Sequence, residues 1–215
     1  MDFDLDTLET GLTYKLLTAC VHPRPIAWIT TQDAAGRINA APYSFFNVMG
    51  SAPPTVAIGI LADPARGLKD SARNILDTGE FVVNLVSHAL AGAMNVTAID
   101  APAGTDELAL AGLDPAPSSK VRPPRIAQSP VALECRVLQA LTTGPDQTLV
   151  VGRVESIHIA DRYVKDGARG HIHAEALDLV GRLHASGYTR CTDRFSLDRP
   201  TWAAFAATGP DLSKG

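Results

Sequence analysis

Apolar positions along the chain fall mostly into short β-branched runs separated by Gly and Pro, a pattern that predicts strands rather than long helices. Residues 25–31 read as a strand running into a turn at 33–36, and residues 39–47 as its antiparallel return. Residues 51–55, with Pro53 and Pro54, break the chain before a short apolar strand at 56–61. Leu68, Ala72, Ile75 and Leu76 then recur at helical spacing, and Gly79 supplies a C-terminal stop. A strand over 80–86 and a helical stretch over 87–97 follow. Residues 98–130, rich in Pro, Ala, Gly and Ser, form a long connection with one helical turn at 106–111. Connections of this length in compact domains often carry function.

Residues 131–139 and 148–159 predict an antiparallel pair across Gly144, Pro145 and Asp146. The second strand alternates well, with Val150, Gly152, Val154, Ser156 and His158 set against Leu149, Val151, Arg153, Glu155 and Ile157. Another strand is expected at 177–183, with a leader over 1–20 and an irregular tail from Thr189. Short strands outnumber helices, which predicts a closed or split β-barrel with helical insertions and argues against a βαβ array.

Composition narrows the classes. The 215 residues are 46% hydrophobic and 20% charged, ordinary values for a globular chain, which excludes disorder. No run reaches the roughly 18 apolar residues of a membrane span. The acidic first six residues lack a basic and apolar leader, so no signal peptide is expected and the location is read as cytoplasmic. A net charge of −4 argues against nucleic-acid binding. Cys20, Cys135 and Cys191 form no CxxC pair and are read as reduced thiols.

Of the 19 basic residues only 5 are Lys, and one of these, Lys69, opens the predicted helix beside Arg66, Ser71 and Arg73. Cations oppose the dipole of a helix's first turn unless an anion binds there, and helix N-termini receive phosphate readily. Because Asp70 suits the dipole by itself, a solvated first turn with an ion pair is the competing reading. A second cluster, Asn39 to Asn47, combines Pro42 with Tyr43, Ser44, Phe45 and Phe46. It suits a flat heteroaromatic ring, or equally a β-bulge whose phenylalanines pack in core and edge positions.

These segments carry a resemblance. Arg24-Pro25-Ile26-Ala27-Trp28-Ile29-Thr30-Thr31, then Gly36-Arg37-Ile38-Asn39-Ala40-Ala41-Pro42-Tyr43-Ser44-Phe45-Phe46-Asn47, closely resemble the flavin reductase-like family. So do Lys69-Asp70-Ser71-Ala72-Arg73-Asn74-Ile75, the strand ending Asn84-Leu85-Val86, and Val150-Val151-Gly152-Arg153-Val154. The likeness runs in order over about residues 14–195, within one domain spanning 1–215 with a tail at 196–215. It implies an FMN-binding split β-barrel with Greek-key-like connections. It further implies a homodimer with FMN, bound non-covalently, near the interface, and an NAD(P)H-dependent flavin reductase serving free flavin or a partner oxygenase or other electron acceptor. Carried over by position, Lys69 and Ser71 hold the phosphate with Arg66 as helper. Asn39, through side chain or backbone, and Ser44 line the ribityl and phosphate path, while Trp28 and the backbone from Ala41 to Phe45 lie by the ring edge and Asn47 adds a polar contact. No acid–base residue is assigned.

One departure changes the expectation. Many members that use pyridine nucleotides have a Gly-Asp-His before the long strand, and here Gln147 stands in the histidine's place. Gln hydrogen-bonds a carboxamide but carries no proton, which raises a flavoredoxin-like electron carrier as the alternative. A metal-dependent enzyme is the third class, because His171 and His173 share a strand face and His158 and His184 are candidates to join them. The competing reading there is a polar surface turn. Tyr188 and Arg182 are read as covering the flavin or as barrel rim, Trp202 as packing on a neighbouring chain, and Asp106 and Glu107 as loop acids.

Overall fold

The computed structural model describes residues 1–208. A 3₁₀ turn and helix α1 (Thr10–Cys20) lead into β1 (Arg24–Pro25), β2 (Ala27–Gln32), β3 (Ile38–Tyr43), β4 (Phe46–Ser51) and β5 (Pro54–Leu61). Helix α2 (Asp70–Thr78), β6 (Glu80–Asn84), α3 (Ala91–Val96), α4 (Glu107–Leu110), β7 (Pro115–Ala116) and β8 (Arg125–Ile126) come next. The long hairpin β9 (Val131–Gly144) and β10 (Gln147–Ile159) precedes short strands β11 (Val164–Asp166), β12 (His171–Ile172), β13 (Val180–Arg182) and β14 (Tyr188–Arg190). Helix α5 (Trp202–Thr208) ends the described chain.

Seven antiparallel strands pair in the order β3-β2-β6-β9-β10-β5-β4. Consecutive strands β3 and β4 are thus the two opposite edges of one sheet. In a flat sheet those edges would lie roughly 29 Å apart, six spacings of about 4.8 Å. Yet only Ser44 and Phe45 separate the strands, a link that spans about 11 Å at most. The sheet must therefore curl until its edges meet. No ladder joins β3 to β4; Gly59 N donates to Phe45 O at 2.7 Å, carrying the β4–β5 pairing one residue into the link. The result is the split β-barrel that the strand pattern predicts, with helices inserted between its strands.

The barrel interior holds Ile29, Val56, Ile58, Phe81, Val83, Cys135 and Val150, with Ala72 and Ile75 of α2 packed against it. Gly152 is required here: a Cβ at that position would lie 2.4 Å from Phe81 Cζ. A second cluster on the outer side of β2 gathers Ile26, Trp28, Ala40, Met94, Leu108, Leu113 and Ile126. It is roofed by the long connection, which is pinned down at two points. Asn84 Oδ1 accepts from Ile126 N at 2.8 Å, and the buried Glu134 carboxylate accepts from the amides of Ser119 and Lys120.

Several sequence boundaries are corrected. The single strand expected over 39–47 is two strands broken at Ser44–Phe45, because the chain there crosses from one sheet edge to the other. The α2 face differs too. Ala72 and Ile75 are buried as the spacing predicts, but Leu68 and Leu76 are exposed and Ser71 and Asn74 take their places inside. Asn74 Nδ2 donates to Thr31 Oγ1 at 3.0 Å, so part of that face is held to the sheet by polar contacts. Gly79 is the left-handed cap, with φ of 71°. Among the described residues no helix is long and apolar enough to cross a membrane.

Candidate active site

Asn39, Ala41 and Tyr43 alternate along edge strand β3, so their side chains share one face. That face, the first turn of α2, the 63–67 turn and the segment 97–103 enclose a cleft of about 490 Å³, a size ordinary for a small-molecule site.

The first turn of α2 is its electropositive end. Lys69 is the N-cap residue, and no side chain caps the helix. Ser, Thr, Asp or Asn usually occupies that position and satisfies a free amide. Here the open amides face a cleft instead. The Lys69 ammonium lies 5.9 Å from the Tyr43 ring centroid. Ser71 is almost completely buried, and its Oγ accepts from Asn39 Nδ2 at 2.7 Å. That bond ties the helix start to the strand that forms the opposite wall.

The remaining cations are engaged. Arg73 pairs with Asp70 at 2.9 Å and donates to Leu68 O at 3.0 Å. Arg66 forms ion pairs with Asp63 and Asp100 and donates to Ala101 O at 2.9 Å. It therefore staples the 97–103 segment to the turn before α2. Asp63 is suited to its role, since the Ala65 and Arg66 amides and the Arg66 charge hold its carboxyl below the usual range.

Two further groups line the cleft. Glu107 accepts from Ala40 N at 2.9 Å, satisfying an outward amide of edge strand β3. Burial pushes its carboxyl above the usual range, the Ala40 amide acts against this, and Asp70 and Asp106 add to the rise. Burial likewise pushes the Tyr43 phenol up to about 12, with the Ser71 hydroxyl opposing and the Glu107 and Asp70 charges reinforcing.

The residues singled out from the sequence therefore divide. Asn39, Ala41, Arg66, Lys69 and Ser71 meet in the cleft. Trp28 does not reach it: the side chain is fully buried in the second cluster, where its indole N–H donates to Thr97 Oγ1 at 2.8 Å. That corrects its placement by the ring, because the roof formed by the long connection leaves it no surface for a ligand. Ser44, Phe45 and Asn47 also lie outside the cleft lining. Ser44 accepts from Arg24 Nε at 3.4 Å, and the buried Arg24 guanidinium also binds the carbonyls of Thr18, Val21 and Leu183. Phe45 lies against Gly59 of β5, its ring 6.1 Å from that of Tyr14. Asn47 is exposed and accepts from the amide of Val48. The strand break between Tyr43 and Phe46 separates these residues from the cleft face.

The other candidates are placed as follows. Gln147 is exposed at the tip of the β9–β10 hairpin, paired with Leu61 and so two residues from cleft-lining Asp63. Among the described residues no group of three or more His, Cys, Asp or Glu side chains converges, so His171 and His173 lack the further ligands a metal centre needs. Arg182 hydrogen-bonds Tyr188 and stacks on its ring. The sequence assigns no role to Thr97, Asp100 or the Glu107 contact to β3, and for Tyr43 it places only the backbone, by the ring edge. Tyr43 alone had a usable signal, its even spacing from Asn39 and Ala41.

A barrel split between consecutive edge strands, with an uncapped cationic helix end at a cleft, is the arrangement of a known family. The chain belongs to the flavin reductase like domain family, whose model matches residues 19–176. It is 46% identical over 207 residues to an uncharacterized protein of Deinococcus radiodurans, covering 94% of this chain and 90% of that one. Nitrilotriacetate monooxygenase component B from Bacillus cereus superposes with a TM-score of 0.86 at 31% identity, over 92% of this chain and 98% of that chain. The 2-nitrobenzoate 2-nitroreductase of Pseudomonas fluorescens gives 0.85 at 31% identity, over 94% and 98%. Family membership implies an oxidoreductase fold that binds flavin.

Proposed function

We propose that this chain is an FMN-dependent oxidoreductase in which NAD(P)H reduces the flavin, which then serves free flavin or a partner oxygenase. The observation that carries the reading is the α2 N-terminus: uncapped, headed by Lys69 and open to a cleft of about 490 Å³. The donor set suits a phosphomonoester, with backbone amides and an ammonium on one wall and the amide-bearing Asn39 on the other. Lys69 and the first-turn amides hold the phosphate. Ser71 and Asn39 fix that turn against β3, and the Ala41 backbone borders the ring path. Arg66, held by Asp63 and Asp100, keeps 97–103 against the cleft and excludes water. Bound FMN supplies hydride-accepting chemistry, and the protein contributes orientation and electrostatics.

A homodimer fits the surface. Val48 and Met49 on β4, Leu138 and Leu141 on β9 and Ile157 on β10 are large apolar side chains left exposed, and such exposure supports cover by a second copy.

Gln147 favours a second reading, a flavoredoxin-like FMN carrier that does not oxidise NAD(P)H. The purified protein's visible spectrum and its titration with FMN test the shared premise: a colourless protein that takes up no FMN ends both readings. Anaerobic stopped-flow mixing of the FMN-loaded protein with NADH and NADPH separates them. Bleaching by either supports the reductase. Bleaching by dithionite alone supports the carrier.

A further inference from the structure

Arg136 of β9 and Arg153 of β10 stand directly opposite each other in the antiparallel ladder, each side chain about half exposed. Like charges so placed destabilise a sheet. On its other side Arg136 is paired with Glu80 of β6, whose buried carboxylate is shared between two guanidiniums, at 2.7 Å from Arg136 Nη1 and 3.2 Å from Arg122 Nε. Arg136 Nη2 also donates to Lys120 O at 2.7 Å, which adds Lys120 to the cluster. The Lys120 ammonium makes no ion pair among the described residues. Two of the neighbouring carboxylates, Glu80 and Glu134, are buried, and Glu134 is taken up by the amides of Ser119 and Lys120. The third, Glu155, is partly buried and lies 3.5 Å from Arg153. Lys120, Arg122, Arg136 and Arg153 are all exposed, so the outward surface of the cluster is cationic on a chain of net charge −4.

The opposite charge is concentrated at the start of the chain. Asp2, Asp4, Asp6 and Glu9 are exposed, and no Lys or Arg precedes Lys15. Among the described residues none of these four carboxylates makes an ion pair, so within one chain the acidic arm and the cationic cluster do not meet. Phe3 and Leu5 of the arm are also about half exposed. The arm joins the barrel beside β4, where Tyr14 of α1 rests on Phe45. The cations stand further along the same sheet, on β9 and β10 and the loop over β6.

We infer that the acidic arm, residues 1–9, of one copy docks on Lys120, Arg122, Arg136 and Arg153 of a second copy, reciprocally across a two-fold. The inference rests on the homodimer reading above and adds to it the segment and the charges that set the register. The cluster borders the apolar face assigned there to a second copy, since exposed Leu138 follows Arg136 by two positions on β9. A two-fold that lays this face on its copy reverses it across the axis, so that the β4 border of one protomer comes against the β9 side of the other. The arm of each then lies by the cations of the other. Carboxylates between Arg136 and Arg153 relieve their mutual repulsion, and charge pairs at the rim of an apolar interface fix its register.

The test is a charge swap read by sedimentation velocity over a dilution series of the full chain. Lys120→Glu with Arg153→Glu reverses the cluster without touching the Glu80 pairs, and melting should be unchanged or raised, because one of two opposed arginines is gone. Dimer affinity is expected to fall by about tenfold or more. Asp2→Lys with Asp6→Lys should do the same, and wild-type affinity should weaken as ionic strength rises. All four substitutions together should restore most of the loss, which shows both that the variants are folded and that the two groups meet. Losses that simply add, with no restoration, would overturn the inference. So would a dimer indifferent to both reversals, which would leave the cations to a different acidic partner. A wild-type chain that stays monomeric at every concentration fails the homodimer reading itself and the inference with it, whereas a dimer without the charge swap fails the inference alone.

Discussion

Asn39 Nδ2 donates to Ser71 Oγ at 2.7 Å between two buried side chains, joining edge strand β3 to the first turn of helix α2. This bond ties the two walls of the cleft together. Asn39→Ala leaves the Ser71 hydroxyl buried without its donor, at a cost of about 1–3 kcal/mol. The urea unfolding midpoint should fall accordingly with an unchanged m-value. FMN affinity should fall as well, because the α2 amides lose their register against β3. Unaltered stability would mean that the bond contributes nothing to the fold.

Lys69 combines an unfavourable location with an open surrounding. As the N-cap residue it places positive charge where the helix dipole opposes it, and no side-chain cap compensates. Lys69→Ala should therefore weaken FMN binding by about 1.5–3 kcal/mol while leaving thermal stability unchanged or slightly raised. Isothermal titration and a melting curve together check both halves. Loss of stability with no loss of affinity would assign Lys69 a structural role.

Tyr43 predicts an alkaline limit. Its folded-state value of about 12 lies above the ordinary 10.0 of a tyrosine, because burial disfavours the phenolate. The fold thus prefers the protonated form. The associated stability is complete below pH 10 and is lost as pH rises through about 12. The shift corresponds to up to about 3 kcal/mol. Ultraviolet titration at the phenolate absorbance should show a late step near pH 12 that Tyr43→Phe removes, and the variant should lose less stability over that interval than the wild type.

The barrel was legible because its strands announce themselves. The alternation through β10, the punctuation by Gly and Pro, and the α2 spacing ending at Gly79 are local features. The clustering of Arg66, Lys69 and Ser71 at one end of the cleft was legible for a similar reason, since they lie within six positions of sequence. What could not be read was set by contacts between distant segments. Strand periodicity does not reveal that the chain crosses between opposite sheet edges at Ser44 and Phe45, and that crossing removes Ser44, Phe45 and Asn47 from the cleft lining. Nor does the sequence near Trp28 tell which face will be roofed. Leu108, Leu113 and Ile126 arrive from the long connection and bury it. Nor does the sequence near Arg66 show its ion pair with Asp100, which lies 34 positions later.

That engagement of Arg66 separates it from Lys69 in a measurable way. Its guanidinium is shared among Asp63, Asp100 and Ala101 O, so little of its charge is left for a phosphate, whereas Lys69 makes no ion pair among the described residues. Arg66→Ala should accordingly reduce FMN affinity less than Lys69→Ala does. Its main effect should fall on the segment it staples. Exposed ion pairs contribute little to global stability, so the unfolding midpoint should barely move, while hydrogen exchange over 98–103 should accelerate. Adding FMN should restore part of that protection in the variant if the segment closes against bound flavin. Exchange that stays slow in Arg66→Ala would show that the 97–103 wall is held by its own packing, with Arg66 dispensable to it.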